Sequence, residues 1–149
     1  MRSEHGIIMR IYHDYRLVAI LPVIAVILDY TFTFYFAGDT SMITSWEASP
    51  FVRWAVINNL MPEYLAGIAL FYYVASFAVL RILESTSYYK FGVLLIGILS
   101  VTHVIGGMSW YFRNSLYSNG VLIMSLLSIV MAFIVFGFSF LREKPSAES

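Results

Sequence analysis

Residues 121–141 read VLIMSLLSIVMAFIVFGFSFL, an unbroken apolar run with no Asp, Glu, Lys, Arg or His. As a helix, 21 residues at about 1.5 Å each rise about 31 Å, close to the hydrocarbon thickness of a bilayer. Three further stretches qualify by the same measure: 17–36 (LVAILPVIAVILDYTFTFYF), 62–83 and 91–112. None alternates in polarity as the strands of a membrane barrel do, so all four are predicted to be helices. The expected fold is all-α, a four-transmembrane-helix bundle forming a single domain over residues 1–149.

Composition agrees. Hydrophobic residues make up 60% of the 149 positions and charged residues only 12%, against about 25% charged in soluble domains. Nine basic residues balance nine acidic ones, which removes any broad electrostatic case for nucleic acid. The absence of cysteine excludes disulfides, Cys-ligated zinc, iron–sulfur clusters and thiol nucleophiles. No P-loop, dinucleotide fingerprint or nucleophile elbow is present.

Basic residues set the orientation. With both termini in the cytoplasm, Arg2, Arg10, Arg16, Arg81, Lys90, Arg142 and Lys144 lie inside and only Arg53 and Arg113 outside. A multi-pass protein of the cell membrane follows. The first span is expected to be retained, because Tyr35-Phe36-Ala37 lacks a small-x-small cleavage pattern.

Between Glu4 and Arg16, Ile7, Ile8, Ile11, Tyr12 and Tyr15 share one helical face opposite Arg10, His13 and Asp14. This suits a helix lying in the inner interface, or else a helical extension of the first span. His5 and His13 read as solvated, and the polar tail 143–149 as disordered. The segment 37–61 is the longest connection and is placed outside, as is 113–120. Gly38 to Ser41 reads as a turn, and Ser49-Pro50 as a helix start, with Ser at the cap and Pro at the first helical position. The resulting short outer helix, ending near Asn58-Asn59, carries Phe51, Val52, Trp54, Val56 and Ile57. It is expected to fold back on the bundle or the headgroups.

An ionisable group at membrane depth is costly unless paired, neutralised or hydrated, which makes it a functional candidate. Asp29 lies about 10 Å, and His103 about 13 Å, from the outer ends of their spans. The two therefore sit at similar depths on different helices. Thr33 is one turn from Asp29, while Ser100, His103, Gly107, Trp110 and Asn114 form a stripe on the third span. Gly106 and Gly107 leave room for a close approach by a helix or ligand. Glu47, three residues before Pro50, is the natural third member. Asp29, Glu47 and His103 together would supply a nitrogen/oxygen donor set suited to a divalent metal such as zinc. The competing expectation is an Asp29–His103 pair that only fixes helix register, with Glu47 a solvated loop acid. Glu63 reads as a helix-start acid, and the pairs Tyr72-Tyr73 and Tyr88-Tyr89 as belt and packing residues.

The runs Leu28-Asp29-Tyr30-Thr31-Phe32-Thr33, Trp46-Glu47-Ala48-Ser49-Pro50 and Thr102-His103, with Asn114, resemble a family of small prokaryotic four-span proteins. Its pattern is an Asp-containing first span, a Glu-Ala-Asn-Pro-like outer loop and a His-containing third span. The resemblance covers roughly residues 24–115, with Ser49 in place of the Asn. It implies that Asp29, Glu47 and His103 belong together and implies no activity. A looser likeness in layout is to the four-span sterol-isomerase and sigma-2-like group. Three function classes follow: a polar, metal-binding or proton-handling site in the outer half of the bundle; an accessory subunit of a larger membrane complex; or a lipid- or isoprenoid-binding or isomerising protein. The expected partners are the lipid bilayer and, for the second class, other membrane subunits or further copies of the chain.

Overall fold

The computed structural model describes residues 12–142. Most of the expected interfacial helix and the whole of the tail 143–149 lie outside these residues. All regular structure among them is helical, and four helices are long and apolar enough to cross a membrane.

Asp14 is the first helix-start signal. Its carboxylate accepts from the amides of Arg16 at 3.0 Å and Leu17 at 3.4 Å, capping α1 (Tyr15–Val18). A turn at Ala19–Ile20 leads into α2 (Leu21–Ala37), with Pro22 in its first turn, where no amide is needed. The first span therefore begins at Tyr15. α2 ends at Gly38, whose φ of 83° is a conformation glycine adopts without strain.

The expected turn at Gly38–Ser41 is instead a helix start. Asp39 caps Met42 at 2.9 Å and opens α3 (Thr40–Trp46). Ser49 and Pro50 then start α4 (Pro50–Ile57), as their spacing predicts, with Ser49 Oγ accepting from Val52 N at 3.4 Å. Asn59, at φ 55°, turns the chain into α5 (Met61–Leu83). A tight connection stitched by Thr86 joins α5 to α6 (Tyr89–Phe112), beside an Arg81–Glu84 ion pair.

The connection to the last helix is shorter than expected. Arg113 adopts a left-handed conformation, and the side chain of Asn114 accepts from Leu116 N at 2.8 Å. α7 (Ser115–Arg142) therefore begins six residues before 121. Asn114 is spent on this cap rather than on the polar stripe of α6.

α2 and α6 form the central pair, α5 packs on both, and α7 rests mainly on α6. Apolar attraction between helices is weak in lipid, so close packing through small residues holds such pairs together. Gly107 supplies the closest approach. A Cβ built there would lie 2.6 Å from the Asp29 carbonyl oxygen and 2.8 Å from its Cα. Two apolar clusters close the molecule at either end. Val18, Ala19, Leu80 and Ile96 form one, with Tyr15, Tyr73 and Phe77 against it. Ala37, Ile43, Val52 and Val56 form the other, under the α3–α4 hairpin, with Tyr30, Tyr64 and Trp110 against it.

Candidate functional site

Between these clusters lies a chain of polar side chains. Asp29 sits within the buried stripe of α2, flanked by Ala25, Val26 and Thr33. His103 comes from α6, one turn before Gly107. The glycine lets α2 approach until the carboxylate of Asp29 reaches His103 Nδ1, with Oδ2 at 2.8 Å. On the other side of the ring, Nε2 is 2.6 Å from the hydroxyl of Tyr72, on α5. The two rings meet edge to face, 4.9 Å between centroids and 82° between planes.

The donor roles follow from the chemistry. An ionised carboxylate can only accept, so Nδ1 carries the hydrogen that Asp29 receives. A neutral ring then has its lone pair at Nε2, where Tyr72 O–H donates. If the ring gains a proton, Nε2–H donates and the phenol oxygen accepts. Either charge state is satisfied. The arrangement can hold, accept and return a proton at Nε2 without leaving a bare polar atom.

A pair of hydroxyls lies towards the α3–α4 hairpin. Tyr30 Oη and Tyr64 Oη are 3.2 Å apart, linking α2 to α5. Glu47 ends α3 as its C-cap, with Oε1 accepting from Ser49 N at 2.9 Å. Burial pushes its carboxyl above the ordinary range. The Ser49 amide opposes this, and the negative charge of Asp29 adds to it.

Of the three expected site residues, Asp29 and His103 are in direct contact. Glu47 is close enough to feel the charge of Asp29, but its hydrogen-bonded oxygen serves the α3–α4 corner. Among the described residues, no three His, Cys, Asp or Glu side chains converge as a metal-holding group. Both ring nitrogens of His103 are already engaged, and a ligating imidazole needs one lone pair free. Tyr72 is the member that sequence reading assigned to packing. The available signal was depth: Tyr72 lies 11 residues inward from Met61, about 16 Å along the helix and near the level of the other two.

The site is not sealed. The side chains of His103 and Asp29 retain 20% and 19% of their accessible surface. Ser100 on the α6 stripe, and Ser125 and Ser128 on α7, turn their hydroxyls onto carbonyls of their own helices. They are thereby accounted for without a ligand. No protein-family model matches this chain, and no curated protein or solved structure matches it either.

Proposed function

We propose that this chain is a multi-pass protein of the cell membrane whose working part is a proton-exchanging polar site in the outer half of the bundle. Both termini then face the cytoplasm, and the α3–α4 hairpin faces outside, in accord with the distribution of Lys and Arg. Asp29 orients the imidazole, His103 Nε2 is the atom that takes and returns the proton, and Tyr72 covers that nitrogen, donating to it when the ring is neutral and accepting from it when the ring is charged. The observation that carries this reading is the simultaneous engagement of both ring nitrogens, by a carboxylate and by a phenol. A register pin needs only the first bond.

Carbethoxylation tests the proposal, since diethyl pyrocarbonate attacks an imidazole nitrogen with a free lone pair. In a protein carrying His5→Gln and His13→Gln, reagent added outside sealed vesicles is expected to modify His103. Tyr72→Phe should react faster, because Nε2 loses its hydrogen bond. No modification in either protein, with the fold intact, would mean a sealed packing pair. Metal analysis checks the zinc alternative on Asp29, Glu47 and His103. Stoichiometric metal, lost in Asp29→Asn, Glu47→Gln and His103→Ala alike, would replace the proton reading.

A second reading, an accessory subunit, is favoured by α5 and α7. Only 11% of the apolar stretch of each is buried within the chain, against 28% for α6. Their outward faces are free to pack on partner helices, on further copies or on lipid. Chain mass in mild detergent, measured by light scattering, separates these cases.

A further inference from the structure

The hairpin above the site presents two unlike faces. On α3 the exposed positions Thr40, Ser41 and Ser45 are hydroxylic, and the large apolar group exposed on it is Trp46, its last residue, next to α4. α4 differs, being apolar on both sides. Val52, Ala55 and Val56 pack inward. Phe51, Trp54 and Ile57, spaced three apart along the other side, are 70%, 56% and 67% exposed, and Trp46 beside them is 75% exposed. Leaving such a stripe in water sacrifices the favourable burial of large aromatic area.

Chain connectivity fixes where the stripe lies. α3 follows the end of α2 directly through Gly38, and α4 precedes α5 by a three-residue turn at Asn58–Leu60. The hairpin therefore sits at the level where two spans leave the hydrocarbon. Tyr35 on α2 and Tyr111 and Phe112 on α6, at the same ends of their spans, are also exposed. Tryptophan and tyrosine concentrate at this depth because their rings suit the boundary between headgroups and acyl chains. Arg53, between the two faces of α4 and half-exposed, is a cation at the height of lipid phosphates.

We propose that α4 is a membrane-interface helix, with Phe51, Trp54, Ile57 and Trp46 seated in the headgroup–acyl boundary of the outer phospholipid leaflet and Arg53 beside the phosphates. The occupant of this face is lipid, not protein. Because the inner face of α4 packs over Tyr30 and Tyr64, its seat on the leaflet also holds the hairpin over the polar site. The inference rests on the four long helices crossing the membrane and is independent of what His103 does.

Tryptophan quenching decides it. The full chain carrying Trp46→Phe and Trp110→Phe keeps Trp54 as its sole tryptophan and is reconstituted in phosphatidylcholine–phosphatidylglycerol vesicles. Trp54 emission should be blue-shifted, quenched more by bromines near the glycerol end of the acyl chains than by deep ones, and protected from aqueous iodide. In chains with all three tryptophans replaced by Phe, Ser45→Trp should be open to iodide, and Ile129→Trp on α7 should be quenched most by deep bromines. The last control separates failure of the membrane reading from failure of this one. With Ile129→Trp behaving as stated, iodide access at Trp54 would overturn the proposal, as a water-facing stripe. Protection from both iodide and bromine would overturn it equally, as a face covered by protein. Circular dichroism of each variant establishes that the helices are retained.

Discussion

Tyr72→Phe removes a single hydroxyl and is the mildest probe of the site. It should cost about 1 kcal/mol of stability, the net worth of a typical hydrogen bond. His103→Ala leaves Asp29 without its partner in the bundle and should cost more, on the order of 2–3 kcal/mol. In Asp29→Asn the side-chain oxygen can still accept from Nδ1, so its loss should fall between the two. Unfolding of the three variants in matched micelles or nanodiscs gives this ranking, and equal losses would contradict the bonded chain. Glu47 responds in the opposite sense. Burial raises its carboxyl above the unfolded value, so its contribution to stability is full when it is protonated and is lost as pH rises through the raised value. Glu47→Gln, which keeps an acceptor for Ser49 N, should therefore raise the thermal midpoint at neutral pH. The gap should close as pH falls below the ordinary carboxylate range. Asp29 and His103 stand out in the sequence as ionisable groups at membrane depth, and Glu47 only as an acid of the outer segment; Tyr72 does not, because a tyrosine in a span has an ordinary explanation as packing.

Among the elements, the α2–α6 contact is the most exacting. Gly107→Ala would place a methyl 2.6 Å from a backbone carbonyl, which cannot rotate away. The helices must part, and the Asp29–His103 bond with them, so the loss should be several-fold larger than for Gly67→Ala, where no atom lies within 4 Å. Gly92→Ala should fall between, because it meets the flexible end of Leu83. Thermal unfolding of the three alanine variants checks the order. Arg113 ties another joint: its guanidinium donates to the carbonyl of Phe36 at 2.9 Å and to that of Trp110 at 3.2 Å. It thereby links the end of α2 to that of α6. The early start of α7 follows from the adjacent Asn114 cap, a polar signal that the hydrophobic-run reading passed over in favour of the first long apolar stretch.

At the scale of the molecule, topology is open to direct measurement because the chain has no native cysteine. Single cysteines at Ser41 or Ser118 are expected to react with an impermeant reagent added outside, and one at Ser87 only after the membrane is opened. Reaction at Ser87 alone would invert the protein. Inversion would move the polar site to the cytoplasmic half but leave its geometry intact.

Composition and run length alone were sufficient for the helical class, the number of long apolar helices and the Ser49-Pro50 helix start, because each is a local property of the chain. Length against bilayer thickness, and capping chemistry within four residues, need no knowledge of what packs where. The shared depth of Asp29 and His103 was also arithmetic along two helices. Which residues touch was not. Helical rise gives height but leaves rotation about the axis and the choice of neighbour open, and those depend on how closely helices can approach. Gly107 brings α2 onto α6, turning two residues at similar depth into a 2.8 Å bond. The placement of α5 then brings Tyr72 to the remaining nitrogen, a contact between residues 31 positions apart that no spacing rule reaches.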